Sequence, residues 1–234
     1  MVMVHEQVGT PREVRTPRAR RHDANVGRIL DAATELVAAD GLASLSMARL
    51  ADAVDYTPGA LYRYFDSKDA LLAKMVERVL GDVRGKLEEA VVDATAKTSP
   101  LARVAALVAA YRAFARREPH RFGLLATTMA EPRVLLAEKA HAQAVAAAVI
   151  GALQPLAQAL VDAAEEGLLA PGGAVERTLC LFTMLQGVLQ LPKLARHAPG
   201  GIDIDQLVVA GTRALLVGWG ASPRNVTRAL EGLS

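Results

Sequence analysis

The sequence predicts an all-α chain in two unequal parts, and three observations carry that expectation. Apolar residues recur at the 3.6-residue spacing of a buried helix face along most of the length, and no run alternates as a half-buried strand would. Pro, Gly and Ser/Thr breaks cut these stripes into helix-sized pieces. The 234 residues are 52% hydrophobic but only 4% aromatic, with abundant Ala, which gives ample material for a core of closely packed helices.

Residues 1–24 read as a basic flexible arm. Arg12, Arg15, Arg18, Arg20, Arg21 and Arg28 fall within the first 28 residues, among Pro11 and Pro17, although the whole chain carries a net charge of only +2. Such an arm either solubilises the chain or lies along a nucleic-acid backbone or in a minor groove, where each cation displaces counterions.

Residues 25–72 read as a compact helical domain. Val26, Ile29, Leu30, Ala33, Leu36 and Val37 form the stripe of a first helix from about Asn25 to Ala39, closed by Gly41. Ser46 caps a second helix from Met47 to Val54, with Ala48, Leu50, Ala51 and Val54 as its inner face. Asp55 takes the turn, because Asp tolerates the left-handed backbone better than most residues with a side chain. Thr57 caps a third helix, Pro58 fits its first position, and Gly59 leaves that surface open to close approach. Leu61 and Phe65 face inward, Thr57, Ala60, Arg63 and Tyr64 face elsewhere, and Tyr62 lies at the boundary. Two tyrosines and a guanidinium on an outer face suit phosphates and base edges, as in a helix-turn-helix whose second helix enters the DNA major groove. An ordinary helical corner with solvated tyrosines fits the same spacing.

The run from Ile29 to Val76 resembles the DNA-binding domain of TetR-family transcriptional regulators. The features that carry the resemblance are Asp40-Gly41, Ser46, the Thr57-Pro58-Gly59-Ala60-Leu61-Tyr62 segment, Tyr64-Phe65, and Ser67-Lys68-Asp69-Ala70-Leu71. It implies DNA contacts from Ser46, Thr57, Pro58, Gly59, Ala60, Tyr62, Arg63 and Tyr64, and a phosphate contact from Lys68 at the start of a fourth helix. The turn departs from the family pattern, with Asp55-Tyr56 in place of Gly and a small apolar residue. Tyr56 either packs differently or reaches the DNA backbone, and the sequence leaves both open.

Residues 73–234 read as a helical regulatory and dimerisation domain. The long fourth helix runs from Lys68 toward Ala96, with Leu71, Leu72, Met75, Val79, Val83 and Leu87 buried and a bend allowed at Gly81 and Gly85. Further helices follow over Leu101–Arg117, Phe122–Met129, Pro132–Glu166, Ala174–Leu191 and Asp203–Trp219. Pro192 and Pro223 read as stops. The last two long helices are apolar on two faces, through Leu179, Phe182, Leu185, Val188 and Leu191, then Leu207, Val208, Leu215 and Leu216. Two apolar faces need two partners, one of them a second subunit. The resemblance implies the same homodimer, and two-fold symmetry implies a near-palindromic double-stranded operator.

Chemistry is scarce. No Gly-rich phosphate loop or nucleophile–base grouping occurs, so no catalytic residue, cofactor or enzyme activity is expected. Glu138 and His141 have the spacing of one half of a di-iron site, but a second copy is lacking and a surface pair is expected instead of a metal site. Regulators of this family bind small molecules in the C-terminal domain, where Tyr111, Phe114, Phe122, Met129, Phe182, Met184 and Gln186 could line an apolar effector pocket. Cys180 stands alone, no signal pattern opens the chain, and His141, Gln143, Gln154, Pro155 and Arg213 interrupt its apolar stretches. A soluble cytoplasmic protein with no membrane partner is the expectation.

Overall fold

The computed structural model describes residues 16–93, 99–130, 138–197 and 201–233; among them only helices and turns occur, so the chain is all-α. The amino-terminal domain comprises α1 (Pro17–Asp40), a 3-10 turn (Leu42–Ser44), α2 (Met47–Ala53) and the short α3 (Pro58–Leu61). Ile29, Leu30, Ala33, Leu45, Leu50, Leu61 and Phe65 form its core.

α1 begins eight residues before the expected Asn25. The Thr16 hydroxyl accepts the Ala19 N–H at 3.2 Å, and Pro17 occupies a position where no N–H is needed. Residues 17–24 are therefore helix rather than flexible arm; Arg12 and Arg15 lie outside the described residues. Along α2 and its cap residue Val54 the buried residues are Met47, Leu50, Ala51 and Val54, while Ala48 is exposed. Met47 supplies the i, i+3, i+4, i+7 stripe more completely than Ala48 does.

α4 (Lys68–Asp93) connects this domain to the rest and packs against α1, α5 (Pro100–Arg117), α6 (Pro119–Ala130) and α7 (Lys139–Glu165). Ser67 and Ser99 cap α4 and α5 through the N–H groups of Ala70 and Ala102. The expected start of α7 at Pro132 lies outside the described residues. The polar interruptions do not break α7, which by length and composition could cross a membrane. It packs instead against α4, α5 and α8 (Ala174–Leu189), burying Leu153, Leu156, Leu160 and Ala163.

Pro192 and Pro223, expected as stops, open helices; the preceding helices already end at Leu189 and Gly218. The two prolines stand first in α9 (Pro192–Ala195) and α11 (Pro223–Leu230), on either side of α10 (Ile204–Gly218). Ser222 caps α11 through the Asn225 N–H at 3.2 Å, and Val226 and Leu230 enter the core. Arg112 of α5 donates to the Leu233 carbonyl at 2.7 Å, tying down the carboxyl-terminal turn.

Candidate nucleic-acid interface and effector site

Asp55 makes the turn between α2 and α3 with φ of +57°, the one non-glycine positive φ among the described residues. Tyr56 then donates its N–H back to the Ala51 carbonyl at 2.9 Å. The Thr57 hydroxyl accepts the Ala60 N–H at 3.2 Å and fixes the start of α3. Thr57, Pro58, Gly59, Tyr62 and Arg63 are exposed, whereas Ala60 is partly covered. Among the described residues, nothing beyond its own helix backbone and chain neighbours comes within 4 Å of the place a Cβ on Gly59 would take, so this surface is open to close approach.

Ser46 is exposed, and its hydroxyl accepts the Arg49 N–H at 3.2 Å; the Arg49 guanidinium pairs with Asp40. Lys68 is the first residue of α4, partly exposed and without an ion pair among the described residues.

Tyr64 sits differently from the free outward side chain that the spacing suggests. Its ring lies between those of His22, at 5.2 Å and 18°, and Tyr56, at 5.9 Å and 20°. The Arg28 guanidinium covers the Tyr56 ring at 5.1 Å. Asn25 donates its side-chain amide to the Tyr64 hydroxyl at 3.0 Å. Tyr56 thus takes the first of its two open alternatives: it packs, against Tyr64 and under Arg28. His22 and Asn25 are absent from the expected site residues, because they fall in or beside the stretch that reads as arm. The Thr16-Pro17 pair is the signal that places them on a helix.

The effector candidates divide. Tyr111 is buried against Phe114, Phe122 and Phe182, with ring centroids 6.0, 6.2 and 5.7 Å away. Its hydroxyl donates to Oε1 of Gln186 at 2.5 Å, and the Gln186 amide reaches the Met129 sulfur at 3.9 Å. Burial raises the Tyr111 phenol well above its ordinary value. Met184 stands apart on α8, its sulfur against Gly211 of α10. Beside Tyr111 and Phe182 the void between α4, α5, α7 and α8 measures only about 10 Å³, roughly one water-sized sphere. Glu138 and His141 approach to 3.6 Å as a pair.

Residues 29–75 match the model for bacterial regulatory proteins of the tetR family, and residues 104–215 match that of the tetracyclin repressor-like C-terminal domain. No curated protein matches in sequence. The fold is similar to that of PfmR, a TetR-family transcriptional regulator from Thermus thermophilus, with TM-score 0.59 and 18% identity over 81% of this chain and 97% of that one. RolR in complex with resorcinol gives 0.64 and 19% over 92% and 96%. FadR from Bacillus subtilis in complex with stearoyl-CoA gives 0.64 and 18% over 82% and 98%. With both its DNA-binding and its C-terminal parts matched, the chain belongs to the TetR family of bacterial DNA-binding transcriptional regulators.

Proposed function

We propose that this regulator is a homodimeric cytoplasmic repressor that binds a near-palindromic operator and is released by a small apolar or amphipathic effector, without cofactor or catalysis. The observation that supports it best is the outward surface of the Thr57-capped recognition segment, where Pro58, Gly59, Tyr62 and Arg63 are left uncovered by the chain. Ser46 and Lys68 would add backbone contacts on either side.

Dimerisation draws on α8 and α10. Their inner residues Phe182, Leu185, Val208 and Leu216 are buried, while Val175, Leu179, Leu207 and Val217 remain exposed on the outer faces. Those uncovered apolar side chains suit a four-helix contact with a second copy.

The effector reading draws on the Tyr111–Gln186 pair, a polar anchor inside an aromatic cluster. RolR and B. subtilis FadR, which hold resorcinol and stearoyl-CoA, have the same fold. A void of about 10 Å³ admits no such molecule, so binding at this cluster requires the bundle to open there. The same close packing favours a second reading, a ligand-independent DNA-organising protein.

Selection of bound sequences from a genomic DNA pool, with wild type beside Arg63→Ala, tests the proposal. Enrichment of one near-palindrome that the variant loses supports the operator reading and provides the probe for effector screening. Salt-sensitive enrichment without a consensus supports the DNA-organising reading.

A further inference from the structure

We propose that the first two turns of α1 and the recognition segment together form a binding site for a backbone phosphate of duplex DNA, so that each subunit holds the duplex from beyond the helix-turn-helix as well as through it. This rests on the DNA-binding reading above and specifies which atoms extend the contact.

Arg18 and Arg21 of α1 line a concavity of about 630 Å³ together with Thr57, Arg63 and Tyr64. Asp55 is the one carboxylate in its lining, against three guanidinium groups. Arg18, Arg21 and Arg63 are exposed, and no ion pair among the described residues engages them. The positive charge is thus available to an external anion.

The hydroxyls point to the same ligand. Tyr64 accepts a hydrogen bond from Asn25, and Thr57 accepts one from the Ala60 N–H. Each hydroxyl oxygen is therefore partly used as an acceptor, while its proton remains to be donated. A phosphodiester, whose unesterified oxygens only accept and carry negative charge, matches this inventory of donors; a base edge, with donors and acceptors side by side, matches it less well. Stacking between His22 and Tyr56 fixes the Tyr64 ring beforehand, so little rotamer freedom is lost on binding. Tyr64 acts here as a pre-set phosphate donor, not as a reader of sequence.

The test uses the full-length protein and a fluorescein-labelled mixed-sequence duplex, with anisotropy measured from about 50 to about 200 mM salt. Arg18→Gln and Arg21→Gln are each expected to flatten the plot of log affinity against log salt, and together by about 1 in slope, the value of the one phosphate they neutralise. Arg20→Gln removes the same charge from an exposed neighbour outside the concavity and should leave the slope near that of wild type. Asp55→Asn keeps a residue that accepts the left-handed backbone, removes the repelling carboxylate, and should tighten binding several-fold. Tyr64→Phe keeps the stacked ring and should weaken binding without changing the slope. Equal flattening by all three arginine variants would overturn the site in favour of a diffuse charge effect, as would slopes unchanged in Arg18→Gln and Arg21→Gln. Wild type that binds no duplex at the lowest salt would instead overturn the operator reading itself.

Discussion

Tyr111 and Gln186, 75 residues apart, share a buried hydrogen bond of 2.5 Å that joins α5 to α8. Tyr111→Phe preserves the ring contacts but strands the Gln186 carbonyl oxygen, which should cost about 1–2 kcal/mol, read as a lower urea midpoint. The pH dependence follows from the raised phenol. Its neutral form is favoured in the fold, so the stabilisation is complete below the ordinary value of 10.0 and is lost as pH rises above it, where only the unfolded chain would release the proton. Wild type should lose more stability than Tyr111→Phe between neutral pH and pH values above 10.0, measured by parallel urea titrations.

An ion cluster at the α4–α6 junction predicts the opposite pH behaviour. Lys86 lies 3.1 Å from Glu118, Arg121 lies 2.5 Å from Glu118, and Arg121 also pairs with Asp82. Desolvation pushes the Glu118 carboxyl up, but the hydrogen bonds and charges of Lys86 and Arg121 outweigh it and hold the group below 4.5. The stabilisation is present above 4.5 and is lost as pH falls through the lowered value. Glu118→Gln should reduce stability at neutral pH and show a smaller further loss on acidification, both read from thermal melts.

The extra turns of α1 depend on Thr16. Thr16→Ala removes the acceptor for the Ala19 N–H and should cost about 1 kcal/mol locally, or roughly fivefold faster amide exchange in that first turn. Exchange deeper in α1, near the buried Ile29, should not change.

Gly41 ends α1 with φ of 80° and ψ of 165°, a backbone region nearly confined to glycine. Gly41→Ala meets no neighbour within 4 Å, so any loss comes from the backbone alone. A fall of about 1–3 kcal/mol is expected in chemical denaturation.

The dimer proposal yields its own test. Leu179 is 44% exposed in the single chain, so Leu179→Glu should leave subunit folding almost unchanged while shifting sedimentation toward monomer. A variant that remains dimeric would exclude this face as the contact.

Helix type is legible nearly everywhere from apolar period, and helix ends are legible less evenly. Thr16-Pro17, Thr57-Pro58, Ser99-Pro100 and Ser222-Pro223 all open helices in one way: the hydroxyl accepts an N–H three residues on, and proline needs none. At Thr57 the signal is legible in full, whereas Pro223 reads as a stop and Pro17 as part of a tail. Proline serves both purposes, and only the apolar residues beyond it decide between them.

Site placement follows the same division between local and distant information. Phe182 and Gln186, four residues apart, share a helix face and both meet Tyr111. Met184 is about 200° around the helix from either and faces α10 instead, as helical geometry requires. The His22–Tyr64–Tyr56 stack follows from no local period, because it joins side chains that approach only when α1 lies across the turn.

That stack bears on how portable operator preference is. α3 has four residues, too few for a helix to persist without support, and Tyr64 just beyond it is clasped by His22 and Asn25 of α1. Transplanting residues 57–64 into a relative's scaffold would carry the letters of recognition without the frame that aims them. Residues 22 and 25 would have to travel with the graft, and an engineered change of target is then an edit to two distant stretches of chain at once.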